Sequence, residues 1–436
     1  MSTPPTAAGS GPPRRGWYAL FGVVILLATV MLVMVAFRAE SSTDFRDFWE
    51  NALQFRETGE IAHDEGVHNY LPFFTIFMTP WSFLPLPVAA VSFVLLSLAL
   101  FGLSAYMTDV LLSDGVPPRP RAALLVSLGL ALPYVYACAV VGNLGLLLLF
   151  LVVATWFLVE RGREWEAGLA LGLATLIKLL PAVLIVFFLF KRRWRVAGTA
   201  AAVTVVLGLG LPLATLGYAR TVAEHNIFYE GAVKKHSAYQ TITADRPVKA
   251  QYNNNALPIV LRRLLSPVNV GSSDEERDRL LVNIADWPRG SILDLYVVLI
   301  AGLVVASVVT TLRGPQRWPP EDMDGLRRLR GQFGVWCCLM LLASPLVWTH
   351  YLPLVYWPLA VLADRVERTG RAARRPWRLG VTAVLVWMLA AVLLAWPAAR
   401  AAGAQLASVA CLWLAMTVPE RQARPPSLSG SGQGEG

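Results

Sequence analysis

The sequence predicts an all-α polytopic membrane protein, and three observations carry that expectation. The 436-residue chain is 56% hydrophobic and only 15% charged, whereas water-soluble chains carry about a quarter charged residues. Apolar runs recur along nearly its whole length. The Lys and Arg residues cluster between those runs rather than spreading evenly. Together these exclude a water-soluble globule, a disordered chain, a disulfide scaffold and a coiled coil. The formal net charge of +9 would suggest nucleic acid in a soluble protein; here it is first a matter of topology, and no nucleic-acid partner is expected.

The first run, 17–37, follows Arg14 and Arg15. It is longer than a secretory h-region of about 7–15 residues, and no small-x-small cleavage site follows. It is read as an uncleaved span leaving the N-terminus in the cytoplasm. Further runs lie at 87–112, 122–140, 143–160, 196–217, 290–312, 332–347, 351–363, 379–396 and 402–418. The stretch 165–190 differs: cations flank both ends (Arg161, Arg163; Lys191, Arg192, Arg193, Arg195), and Lys178 and Pro181 sit mid-way. Its length is too short for two full crossings at about 1.5 Å per residue. A hairpin of two short helices is expected, its tip buried in protein, because non-helical backbone at membrane depth needs protein or a polar cavity around it.

On this path, segments assigned to the cytoplasm hold 23 of the 38 cations. The first outer loop, 38–71, holds three Arg against eight acids, as the positive-inside rule demands. The long loop 218–289 holds ten cations, but loops above about 60 residues translocate largely regardless of charge. A single integral-membrane domain over 17–418 is expected, with outer loops at about 38–86 and 218–289 and disordered cytoplasmic tails at 1–16 and 419–436. All four cysteines fall within apolar runs and read as small hydrophobes.

Two outer segments carry more pattern than plain loops. In DFRDFWENALQFRET (44–58) aromatic and aliphatic residues recur at helical spacing, which predicts an amphipathic helix on the outer membrane face. The following stretch to Pro87 is apolar but broken by Pro72, Pro80, Pro85 and Pro87, and reads as a short re-entrant or interfacial segment. In QYNNNALPIVLRRLL, Leu257, Val260, Leu261, Leu264 and Leu265 form a stripe, with Arg262 and Arg263 off it. This predicts a second surface helix at the headgroup level.

Ionisable residues at membrane depth are candidates for function by default. Lys178 either presents its ammonium to an anion at the hairpin tip or snorkels to water. His350, at the outer end of its run, either contacts a phosphate or supports a base, or belongs to an aromatic belt with Trp348 and Tyr351. Asp44, just outside the first span, is either a general base toward a hydroxyl or a helix N-cap. Asp47 reads as part of the solvated face of the same helix. No HExxH, CxxC, Walker A or GxSxG occurs, and the adjacent Cys337-Cys338 pair is not metal-ligand spacing.

Five fragments, in this order, resemble glycosyltransferase family 87, the polyprenyl-phosphate-sugar-dependent mannosyltransferases and their relatives of the GT-C superfamily. They are Asp44-Phe45-Arg46-Asp47-Phe48-Trp49; Tyr70-Leu71-Pro72; Ala167-Gly168 through Leu171-Gly172, Ala174, Lys178 and Pro181; Asn254-Asn255-Ala256-Leu257; and Ser344-Pro345 with Trp348, His350 and Tyr351. The long outer loop departs most from the family pattern: its Asn254-Asn255-Ala256 lacks the usual Gln-Ser. The resemblance covers roughly residues 40–365.

The resemblance implies a GT-C-type bundle of about 11–13 transmembrane or re-entrant helices, with extracytoplasmic amphipathic helices and an extracytoplasmic active site in a bacterial-type cytoplasmic membrane. It implies transfer of a sugar of the mannose type from a polyprenyl-phosphate donor to a hydroxyl on a glycolipid, glycan or protein, with inversion. By the same analogy Asp44 is the catalytic base, Lys178 and His350 bind the donor phosphate, and Asp47, Tyr70, Asn254, Trp348 and Tyr351 line the substrate cleft. No cofactor and no metal are expected. The competing reading is a transporter or flippase of lipid-linked sugars, against which the sequence shows no second copy of the hairpin or of the 44–58 helix.

Overall fold

The computed structural model describes residues 44–62, 70–114, 122–245, 251–270, 280–316, 318–369 and 374–418. The expected first span and both tails lie outside these residues. Among the described residues the chain is helical throughout, with a lone bridge pairing Asn254 with Trp348. In chain order the helices are α1 (Asp44–Thr58), α2 (Pro72–Met78), α3 (Leu86–Leu112), α4 (Ala122–Val141), α5 (Gly145–Glu160), α6 (Glu164–Ile177), α7 (Ala182–Phe190) and α8 (Trp194–Leu216). There follow α9 (Tyr218–Phe228), α10 (Ala238–Thr243), α11 (Leu257–Leu265), α12 (Arg289–Arg313), α13 (Met323–Leu342), α14 (Tyr356–Thr369), α15 (Arg374–Val392) and α16 (Ala404–Thr417).

Among the described residues, five helical rods are long and apolar enough to cross a membrane: α3, α4, α8, α12 and the stretch Pro376–Ala395. They are apolar all round, and large side chains such as Leu95, Val126, Val298, Val305 and Leu389 stand exposed on their outer sides. A contiguous apolar exterior of this kind marks contact with lipid rather than water. Inside, Trp156 of α5 stacks on Phe333 of α13 with centroids 4.7 Å apart, and Phe187, Phe188 and Trp357 close around the pair.

The 165–190 stretch folds as expected into two short helices, α6 and α7, joined at Lys178, whose backbone is extended (φ −154°, ψ 133°). Two glycines of its motif set its depth of packing. A Cβ on Gly168 would stand 2.8 Å from the Val196 carbonyl oxygen, and one on Gly172 2.8 Å from that of Ala200. Small residues four apart let the α6 and α8 backbones approach closely. The 44–58 helix and the short Pro-led helix after Tyr70 also form, the latter continuing as a 3-10 turn over Thr79–Phe83.

Charged residues sort to opposite ends of the bundle. At one end, Arg330 donates to both Asp114 and Glu160 at 2.8 Å, Arg327 donates to Asp114 at 2.7 Å, and Lys191 donates to the carbonyls of Thr311 and Pro315. These are the segments assigned to the cytoplasm from the sequence. Asp44, Tyr70, Lys178, Asn254 and His350 lie toward the other end.

Three expectations need correction. The helix α11 is not a surface helix with outward arginines: Arg262 and Arg263 are 4% and 0% exposed. Arg263 turns inward to donate to the backbone oxygens of Gln251 (3.0 Å) and Asn254 (2.7 Å). The run 332–347 is displaced, since α13 begins nine residues earlier, at Met323, and ends at Leu342. Its N-terminal arginines are held by the ion pairs just described, which permits a charged first half. The run 351–363 starts as a tight turn, Thr349–Val355, before becoming α14.

Candidate active site

The site is assembled from five places in the chain. Asp44 opens α1, whose Phe45 and Phe48 are buried and fix the helix against the bundle. The Asp44 carboxylate, partly exposed at 38%, accepts a 2.6 Å hydrogen bond from the Asn143 side chain. Asn143 belongs to the turn between α4 and α5, and its own Oδ1 accepts from the Gly145 amide at 3.1 Å. That turn is built on glycines. Gly142 has φ +64°, and a Cβ there would lie 2.5 Å from the Phe45 Cβ; a Cβ on Gly145 would lie 2.3 Å from the His350 carbonyl oxygen. The α4–α5 turn is thereby wedged between the start of α1 and the segment carrying His350.

His350 Nε2 stands 3.7 Å from Asp44 Oδ2, too far for a hydrogen bond. It is buried and has no hydrogen-bond partner among the described residues. Burial depresses the His350 imidazole to about 4; Asp44 opposes that fall and Lys178 adds to it. The ring is therefore neutral near pH 7, and its contact with Asp44 is not an ion pair. A buried polar atom without a partner in a folded protein calls for an explanation, and a ligand at this point is one.

Lys178, at the hairpin tip, donates to the Tyr351 hydroxyl and lies 3.9 Å from that ring's centroid and 5.0 Å from the Tyr70 centroid. The two rings hold the ammonium by its cation–π attraction and keep it from snorkelling away. Tyr70 itself stacks on Phe74 at 4.3 Å and meets Phe48 edge-on. Burial first, and then the negative charge of Asp44, raises the Tyr70 phenol well above its ordinary value, so it stays a neutral donor. His350 meets the Tyr351 ring at 4.7 Å and Trp348 at 6.4 Å. A cavity of about 290 Å³ opens beside Lys178 and Tyr70, walled by apolar residues of α6, α7 and α13 and bordered by His236 and Ser344.

The structure thus brings Asp44, Tyr70, Lys178, His350 and Tyr351 together, with Asp47 near enough to act electrostatically on Tyr70. Trp348 flanks the group. Asn254 sits differently. It is 2% exposed, and its Oδ1 accepts from the backbone amides of Ala256 (3.2 Å) and Val347 (3.3 Å). Its side chain ties the 251–256 loop to the segment before His350 and is not among the residues lining the cavity. Asn143 was not singled out from sequence. Its signal was present: a polar residue between two glycines, in VVGNLG, interrupting two apolar runs.

The sequence model described as glycosyltransferase family 87 matches residues 68–345, more than half of the chain, including Tyr70, Asn143, Lys178 and Asn254. Among curated relatives, a polyprenol-phosphate-mannose-dependent alpha-(1-2)-phosphatidylinositol mannoside mannosyltransferase of Mycobacterium tuberculosis is 30% identical over 230 residues, 46% of this chain and 53% of that protein. An alpha-(1->3)-arabinofuranosyltransferase of the same species is 26% identical over 204 residues, 45% of this chain and 47% of that protein. The chain spans about half the length of the curated relatives it matches. Among solved structures, ArnT from Cupriavidus metallidurans bound to undecaprenyl phosphate aligns with a TM-score of 0.46 and 17% identity, over 92% of this chain and 77% of that one. The family match runs unbroken from the loop that carries Tyr70, through the Lys178 hairpin, to the Ser344-Pro345 motif, and the chain belongs to glycosyltransferase family 87.

Proposed function

We propose that this chain is an integral-membrane glycosyltransferase that moves a sugar from a polyprenyl-phosphate donor to a hydroxyl acceptor on the extracytoplasmic face. The observation that carries the reading is the meeting, around the unpartnered His350 nitrogen, of a carboxylate and an ammonium that lie 134 residues apart in the sequence. Transfer between sugars needs both charges in one place: a base for the incoming hydroxyl and a cation for the departing phosphate.

Asp44 is the base. As the acceptor oxygen bonds to the anomeric carbon, its proton passes to the Asp44 carboxylate, and the bond from that carbon to the donor phosphate oxygen breaks. The electron pair leaves with the polyprenyl phosphate, whose growing negative charge is met by Lys178 and by the Tyr351 hydroxyl it touches. His350, neutral, offers a ring nitrogen to the same phosphate or to the sugar. Attack opposite the leaving group inverts the anomeric centre. Asn143 positions Asp44 by holding one carboxylate oxygen, leaving the other for the acceptor proton.

The cavity beside Lys178 suits the first isoprene units of the donor, since its walls are apolar and its rim is polar. The mannosyl and arabinofuranosyl relatives favour a glycosyl donor of that kind, and we assign mannose as the first sugar to test, with a glycolipid, glycan or protein hydroxyl as acceptor. The test is transfer by the purified chain from a panel of polyprenyl-phosphate sugars, followed by mass spectrometry. Asp44→Asn is expected to lower transfer by roughly 10²–10⁴-fold with membrane insertion unchanged. Full activity in that variant would remove Asp44 from the chemistry.

A further inference from the structure

At the end of the bundle remote from Asp44, a second cavity of about 210 Å³ lies between the C-termini of α12, α14 and α16 and the first half of α13. Five arginines and no acid line it: Arg313, Arg327, Arg328, Arg365 and Arg368. Arg327 and Arg368 are shared with Asp114, Asp324 and Asp364. Arg313 and Arg328 make no ion pair among the described residues and are exposed. Deeper in, the walls are Val309, Val361, Leu362 and Met416.

We propose that this cavity binds an anionic phospholipid of the adjoining leaflet, one whose headgroup joins a phosphodiester to a free hydroxyl. Three features identify the ligand class. The arginine charge at the mouth is in excess over the carboxylates that could neutralise it, which suits a phosphate. The mouth is continuous with lipid-facing surface: α12 is the least covered of the long helices, and Val305 and Leu312, just before Arg313, are 61% and 53% exposed. An acyl chain can therefore follow α12 while its phosphate reaches the arginines, as basic pockets between spans hold anionic headgroups. Lastly, the Gln332 side chain lines the cavity, only 5% exposed; its Nε2 donates to the Thr310 carbonyl at 2.7 Å, while its Oε1 has no partner. A phosphate cannot serve that oxygen, but a headgroup hydroxyl can donate to it.

The site does not depend on the transfer reaction, and its test does not read activity. Native mass spectrometry of the full chain in phosphatidylcholine micelles, with phosphatidylglycerol added in graded amounts, gives the affinity of the first bound anionic lipid. One saturable phosphatidylglycerol is expected. Arg313→Gln with Arg328→Gln should weaken it about 30-fold, from about 1 kcal/mol per cation, whereas Arg161→Gln should leave it unchanged. Phosphatidylmethanol, of equal charge but without a hydroxyl, should bind about tenfold more weakly. Each single substitution carries part of the loss, so a poorly folding double variant would not end the test. Equal affinity in wild type and variants would overturn the site. Displacement of the lipid by inorganic phosphate would overturn the lipid assignment in favour of a soluble phosphate ester.

Discussion

Lys178 illustrates how neighbours hold a charge at membrane depth. A lysine in an apolar hairpin would ordinarily extend toward water, because holding a charge at depth costs several kcal/mol. Here the chain stops being helical at that residue, and the Tyr351 hydroxyl and two aromatic faces take the ammonium. On the proposed function, that ammonium meets the donor phosphate. Lys178→Ala should therefore raise the donor KM by roughly 10–100-fold, as for the loss of a hydrogen bond to a charged group, with the acceptor KM little changed. Steady-state kinetics with each substrate varied in turn checks the split; equal effects on both would place Lys178 in a structural role. The lysine was visible in the sequence as a charge out of place. Its partners were not, since Tyr351 lies 173 residues away and no local pattern relates the two.

At the scale of elements, the α4–α5 turn decides whether Asp44 and His350 lie side by side. Gly142 is required twice over, by its positive φ and by the approach of Phe45 at the start of α1. Gly142→Ala should cost about 1–2 kcal/mol for the left-handed backbone alone and more for the displaced Phe45. Gly59 provides the comparison: it too has positive φ, +71°, but a Cβ there meets nothing within 4 Å. Thermal denaturation in detergent should show Gly142→Ala destabilised more than Gly59→Ala, and only the former should lose transfer activity as Asn143 leaves Asp44. The amphipathic α1 and the hairpin were legible as elements because helical periodicity and flanking charges are local signals. The inward turn of α11 was not: its arginines look like a solvent face until Gln251 and Asn254 bring their carbonyls to Arg263.

For the whole molecule, the two ends of the bundle are held by different means. The end with Asp44 is held by aromatic packing and tight glycine turns. The other is clamped by the network of Asp114, Glu160, Arg327 and Arg330, with Trp156 also donating to Glu160 at 2.6 Å. Arg330 is 4% exposed, so Arg330→Met removes the guanidinium paired with Glu160 while Asp114 keeps Arg327, and should cost about 3–5 kcal/mol. The pH dependence has a definite sign. Burial by itself would raise the Asp114 carboxyl, but the hydrogen bonds and charges of Arg327 and Arg330 outweigh it and hold the pKa below the ordinary 3.8. A group depressed in the folded state contributes stability that is present above its unfolded pKa and lost as pH falls through the folded one. Wild type should therefore lose thermal stability in acid below the carboxylate range, and Asp114→Asn should show a weaker acid dependence from a lower starting point. Melting curves across pH measure both.

The sequence by itself determined that the chain lives in a membrane, where most of its helices run, which loops gather cations, and that an acid and a lysine interrupt the pattern. Each of those follows from composition or from a repeat a few residues long. The tertiary structure alone decided that Asn143, 99 residues from Asp44, holds its carboxylate, that Asn254 bonds the backbone of Ala256 and Val347, and that five arginines from three helices and their ends face one hollow. These are contacts between segments brought together by burial of apolar surface. Periodicity tells which side of a helix is greasy; it carries no information on which neighbour covers that side, and the chemistry of the site lies in that choice.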